Sequence, residues 1–296
     1  MQLQELIEYL EQIMPLALAE NWDNVGLILG NRTRAIKSVM TCLTIDEAVV
    51  EEAIHTHVDC IVSHHPFPFH ASKRWTADTP DGRIMLGLLG AQIAVYSPHT
   101  AYDSAFFGIN RQLAEGLGLQ DVEPLYPGRL DATEAMLDGL DASDHASVAL
   151  DLKRQPRAKQ GEQSAKPLLG TGRIGRFATP KSFAELTEQV KDMLQISALP
   201  VVGDPEKSIA RVAIGCGAAD DFIAQAQSRG ADALLLGEAR FHACLEARAR
   251  DVALLLAGHY STERFALCIL ADRIARKFKG LTVRASAKES DPIRMA

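Results

Sequence analysis

Three short apolar runs in this chain each stop at a histidine, and that pattern limits what the chain can fold into. Cys60-Ile61-Val62 leads into Ser63-His64-His65-Pro66, Ile93-Ala94-Val95 into Pro98-His99-Thr100-Ala101-Tyr102-Asp103, and residues 252–257 into Gly258-His259-Tyr260-Ser261-Thr262-Glu263. A brief apolar run bounded by turn residues reads as a buried strand. Polar side chains at the ends of such strands are where α/β proteins place chemistry, because the sheet fixes the backbone and the loops face a crevice.

One βα order occurs twice. Residues 39–45 read as a strand, 47–57 as a helix and 58–62 as a second strand ending at His64-His65. Residues 210–214, 220–229 and 231–236 repeat strand, helix and strand, ending at Gly237-Glu238. Setting Asp59 against Asp232 carries Ile45 onto Ala218 and His65 onto Glu238 without a gap. An internal duplication follows. The expected fold class is α/β, with two similar α/β/α halves, each a mixed sheet flanked by helices, and a metal site in the cleft between them. The first half is placed at 1–127 and the second at 168–296. Residues 128–167 read as a polar linker or insertion, rich in aspartate (Asp131, Asp138, Asp141, Asp144) and then without large apolar side chains from Lys153 on. Ser182 and Glu185 form a capping-box pattern that opens a helix running to about Leu194.

The three clusters carry imidazoles and carboxylates, donors that suit zinc, iron, manganese, cobalt or nickel. Adjacent side chains of extended backbone point to opposite sides, so His64 and His65 suit two different ions better than one. A histidine and an acid four residues apart at a helix start share one face, and both His99/Asp103 and His259/Glu263 have this spacing. Two such faces with the His-His pair between them can hold two ions roughly 3.5–4 Å apart around a shared water, bridged by Glu263 or Asp103. His55, His57, His70 and His145 read as ordinary, hydrogen-bonded histidines.

Other chemistry is excluded. Gly170-Thr171-Gly172-Arg173-Ile174-Gly175 fits G-x-G-x-x-G, but no clear strand precedes it and Pro180 comes before any helix, so it is no dinucleotide loop. A net charge of −7 over 296 residues argues against nucleic acid as a partner. The five cysteines are odd in number and form no C-x-x-C pair, and most sit among apolar neighbours, which reads as small core residues in a reducing compartment. No apolar run approaches the ~20 residues of a membrane span. The first twelve residues carry Glu5, Glu8 and Glu11 and no basic stretch, so a cytoplasmic protein is expected.

Trp22-Asp23-Asn24-Val25-Gly26-Leu27, Ser63-His64-His65-Pro66, His99-Thr100-x-x-Asp103, Gly172-Arg173-Ile174-Gly175, the stretch from Gly237-Glu238 to His242, and Gly258-His259-Tyr260-Ser261-Thr262-Glu263 together resemble the Nif-three-like dinuclear metal-centre family. Its bacterial members are known as GTP cyclohydrolase 1 type 2 homologues. The motifs stand in family order and cover residues 3–127 and 168–292. The resemblance implies His64, His65, Asp103, His259 and Glu263 as ligands of two divalent metal ions, Glu263 bridging and His99 a near neighbour. It also implies a toroidal homohexamer. Phe241 stands where the family has the first of two histidines, so a proton-transferring role rests on His242 alone. Arg240 and Arg264 read as solvated surface cations.

Two functions follow. One is a metal-dependent hydrolase that turns metal-activated water on a small, nucleotide-like substrate. The other is a non-catalytic scaffold or partner-binding protein held together by its ions.

Overall fold

The computed structural model describes residues 1–128 and 169–294. The expected insertion, apart from Gly128, lies outside the described residues, as does His145. The chain divides into two compact units, one built from Met1–Glu11, Ala19–Tyr102 and residues from Arg264 on, the other from Gln12–Leu18 and Asp103–Glu263.

The first unit holds a mixed five-stranded sheet of β1 (Gly26–Leu29), β2 (Ser38–Cys42), β3 (Cys60–Ser63), β4 (Ala94–Ser97) and β13 (Thr282–Ala285), in the order β1-β4-β3-β2-β13. Strands β4, β3, β2 and β13 run parallel, and β1 closes one edge antiparallel to β4. Every residue of β3 and β4 is buried, as expected of parallel strands covered on both faces. Helices Glu47–His55 and Pro80–Gly90 supply Val49, Val50, Ala53, Ile84 and Leu88 to the core against Met40, Ile61 and Val95. Asp46 caps the first helix by accepting from the Val49 amide at 2.8 Å.

The second unit holds a mixed six-stranded sheet: β5 (Gln120–Glu123), β8 (Arg173–Ser182), β9 (Val201–Val202), β10 (Ser208–Ala218), β11 (Ala233–Glu238) and β12 (Ala253–Leu256), in the order β5-β8-β10-β11-β12-β9. Strands β10, β11 and β12 are parallel. A small pairing of β6 (Tyr126–Pro127) with β7 (Gly170–Thr171) lies apart. Helix Phe183–Leu194 starts at Ser182 with both hydrogen bonds of its capping box made.

Several matching bonds recur in the two units. Asp59 accepts the amides of Lys37 and Ser38 at 2.7 and 3.1 Å, and Asp232 those of Ala210 and Arg211, each at 2.8 Å. Val39 pairs with Cys60, and Val212 with Ala233. Gly30 and Gly203, both at positive φ, lie so close to Ala94 and Ala253 that a Cβ would fall 2.7 and 2.9 Å from the alanine Cβ. All these correspondences (59 to 232, 39 to 212, 30 to 203) are 173 positions apart.

The compact units are not the contiguous halves read from the sequence. Strand β5, from before residue 128, pairs with β8 in the second sheet, while β13 leaves the second half and extends the first sheet beside β2. Pairing with a distant edge satisfies a strand's backbone groups as well as pairing with a neighbour in sequence does.

Candidate metal centre

In the first unit, His64 and His65 follow β3 directly. Their amides continue the ladder to the carbonyls of Cys42 and Leu43, at 2.9 and 2.8 Å, and Ser97 Oγ donates to the His64 carbonyl at 2.6 Å. The backbone under both imidazoles is therefore held by two neighbouring strands. His99 opens helix His99–Ser104 with φ 32, a conformation that costs a side chain with a Cβ. The structure brings His64, His65 and His99 together: one ring nitrogen of each lies within 4.8 Å of the others.

Two of these rings are oriented from behind. His65 Nδ1 lies 2.7 Å from Thr44 Oγ1, and His99 Nδ1 lies 2.7 Å from Asp23 Oδ1. In a neutral imidazole, an Nδ1–H engaged this way leaves Nε2 to present its lone pair, the arrangement that metal-binding histidines use. Asp23 also accepts from the Thr100 hydroxyl at 2.5 Å and the Thr100 amide at 3.2 Å. Burial pushes its carboxyl up, but the hydrogen bonds from His99 and Thr100 outweigh it and hold the group below its ordinary value. Sequence reasoning gave Asp23 no role beyond its motif.

In the second unit, His259 and Glu263 stand one turn apart at the start of helix His259–Lys277, after β12. His259 Nε2 lies 3.1 Å from Glu263 Oε2, and His259 Nδ1 lies 2.9 Å from Glu238 Oε1, at the end of β11. The Glu263 hydrogen bond, opposed by burial and helped by the charges of Glu263 and Glu238, raises the His259 pKa to about 9. Glu263 is buried. Its carboxylate sits in a notch at Gly217, where φ is +59 and an added Cβ would fall 2.2 Å from Glu263 Oε1 and 3.1 Å from His259 Nε2. Asp103 accepts from Cys216 Sγ at 3.1 Å. Asn110 ties the same place together, donating to the Asp103 carbonyl at 3.2 Å and accepting the Cys216 amide at 2.7 Å. Burial first, then the charges of Asp103 and Glu263, push the Cys216 thiol well above its ordinary value, so it stays a donor. Cys216, a small core residue by its apolar neighbours in sequence, is thus also a hydrogen-bond donor to a carboxylate.

These residues fit a divalent ion. The donors are imidazole nitrogen and carboxylate oxygen, the Nδ1 atoms of His65 and His99 are each engaged by an oxygen, and a glycine makes room for the acid.

His242 joins no such cluster among the described residues. It is exposed on helix Phe241–Ala249 and lines a cleft of about 310 Å³ with Asp220, Asp221, Arg240 and Glu246. Arg240 is a surface cation as expected, paired with Asp220 at 2.7 Å. Arg264 is not: its Nε lies 2.5 Å from Glu289 Oε2, with only 13% and 4% of the two side chains exposed. Arg173 of the glycine-rich motif is buried and donates to the carbonyls of Gly170, Gly172, Ser104 and Ala105, a structural clasp in place of a phosphate loop. No helix of the described residues is long and apolar enough to cross a membrane.

The pattern of the family described as Duf34/NIF3 (NGG1p interacting factor 3) matches residues 1–292. A GTP cyclohydrolase 1 type 2 homolog of Clostridium acetobutylicum is 27% identical, over 93% of this chain and 90% of that protein. A protein of the same description from Streptomyces coelicolor is 30% identical, over 88% of this chain and 81% of its own length. The crystal structure of Staphylococcus aureus protein SA1388 superposes with a TM-score of 0.81 at 25% identity, covering 100% of this chain and 99% of that one.

Proposed function

The chain belongs to the Duf34/NIF3 family, and from that premise we propose that it is a dinuclear divalent-metal hydrolase acting on a small, nucleotide-like substrate. The ligands in this reading would be His64, His65, Asp103, His259 and Glu263, with His99 beside the first two. One observation carries it. His65, His99 and His259 each have Nδ1 engaged by an oxygen, from Thr44, Asp23 and Glu238, at 2.7, 2.7 and 2.9 Å. Core histidines need no such common orientation, whereas ligands do.

When bound, two divalent ions supply Lewis acidity and bring the pKa of a shared water toward neutrality. The chain's own residues do the rest. Asp23, Thr44 and Glu238 orient imidazoles. The Gly217 notch sets the Glu263 carboxylate, and the buried surroundings of His64 and Glu263 keep bulk water from competing. The substrate proton falls to His242 in this reading, on the condition that this exposed side chain, which lines a cleft with Asp220, Asp221, Arg240 and Glu246, also faces the metals. The substrate class draws support from the GTP cyclohydrolase description shared by the relatives. A cytoplasmic, toroidal homohexamer belongs to the same proposal, and sedimentation velocity measures the assembly.

The test compares metal-loaded wild type with Glu263→Gln and His242→Ala on GTP, other nucleotides and simple phosphoesters, with metal content measured for each and for His64→Ala. Turnover that falls with metal content supports the proposal. No turnover by wild type, together with unfolding or dissociation on chelation, would establish the scaffold instead.

A further inference from the structure

The loop that brings Asp23 to His99 leaves its neighbouring tryptophan outside. Trp22 is 64% exposed and Phe69 47%. Their ring centroids lie 6.2 Å apart, and they stand 6.0 and 5.9 Å from the His99 imidazole, at interplanar angles of 76° and 81°. Asn24 Nδ2 donates to the Pro68 carbonyl at 3.0 Å, pinning the loop of Trp22 to the loop of Phe69. Two of the largest apolar side chains are thus fixed in solvent at the rim of the histidine cluster. Burial would have stabilised the fold, so their position calls for a partner.

The patch is two rings. A stable protein partner covers about 800 Å² on each side, far more than these side chains offer. A flat π system needs no more than they provide, because stacking on an aromatic face satisfies it whatever its hydrogen-bonding edge. We propose that Trp22 and Phe69 form the recognition surface for a planar heteroaromatic ring, of purine size, and hold it beside His99. The proposal rests on the hydrolase reading for its meaning, since it says which part of the substrate is gripped. The binding it describes is measurable without turnover.

The probes are guanosine 5′-monophosphate, adenosine and ribose 5-phosphate, titrated calorimetrically into the full chain with metal content assayed in parallel. The two ring-bearing compounds are expected to bind and ribose 5-phosphate to bind more weakly than either. Trp22→Ala and Phe69→Ala should each weaken ring binding about fivefold or more, Trp22→Phe should retain most of it, and all three should keep the wild-type metal content. Failure of wild type to bind either ring compound, or Trp22→Ala binding with wild-type affinity, overturns the proposal. So does a loss of sedimenting mass in the alanine variants with ring binding intact, which would make the patch a subunit contact. Wild type that binds the rings through Trp22 but holds no metal would keep the ring site and remove the hydrolase reading.

Discussion

Thr44 Oγ1 lies 2.7 Å from His65 Nδ1, and the loop that carries it is held from the far end of the chain. Glu289 Oε1 accepts the amides of Leu43 and Thr44 at 2.6 and 2.7 Å, while Glu289 Oε2 pairs with Arg264. The threonine hydroxyl therefore has little freedom to leave the imidazole. Thr44→Val keeps the shape and removes the oxygen, and is expected to weaken metal binding about 10- to 100-fold, the usual effect of losing a group that orients a ligand. Thr44→Ser should bind nearly as wild type. Equilibrium dialysis against a buffered divalent ion reads both, and equal affinity in the valine variant would remove His65 from the centre.

Gly217 is the position where a single methyl group should do most harm. Its φ of +59 disfavours any side chain, and the added carbon would fall 2.2 Å from Glu263 Oε1, inside contact distance. Gly217→Ala is expected to destabilise the protein by about 1–3 kcal/mol and to displace the carboxylate. Urea unfolding measures the first effect and metal stoichiometry the second. Full metal content in a folded Gly217→Ala protein would show that Glu263 is not a ligand.

The Cys216 thiol steadies Asp103 without being placed as a ligand. Cys216→Ala removes the donor 3.1 Å from Asp103 Oδ1 and should lower metal affinity, whereas Cys216→Ser keeps a hydrogen bond and should restore it. Cobalt(II) loading adds an independent reading. A sulfur-to-cobalt charge-transfer band in wild type would mean that the thiol itself coordinates.

Much of this was legible in the chain. The buried strands announce themselves because parallel strands covered on both faces are continuously apolar, and the Asp59/Asp232 alignment picks out two aspartates that each accept a pair of strand amides, those of Lys37 and Ser38 and those of Ala210 and Arg211. The exchange of β5 and β13 left no local trace: an edge strand's partner is set by which edge is open, and nothing within residues 120–123 or 282–285 encodes it. Arg264 misled for a related reason. Its carboxylate partner lies at Glu289, outside any helical spacing. Asp23 reaches His99 and Thr100 from more than seventy positions away, so its orienting role is a property of the fold alone.

Metal uptake should release a proton from His259. Its folded pKa is raised to about 9 from an ordinary 6.5, the Glu263 hydrogen bond being the largest cause. The sign follows directly. The protonated ring gains its partner in the folded state, so its contribution to stability is complete below about 6.5 and is lost as pH rises through about 9. The chelated protein should therefore lose thermal stability between neutral and alkaline pH, and His259→Asn should lose less. A divalent ion needs the neutral imidazole, so between those two values binding must expel the proton, and affinity should rise about tenfold per pH unit. Calorimetry at pH 7.5 in phosphate and in Tris, whose ionisation heats differ, counts the protons. About one more should be released by wild type than by His259→Asn. Equal release by the two proteins would mean that His259 is neutral before the ion arrives, and that the His259–Glu263 pair is no charged pair in the metal-free protein.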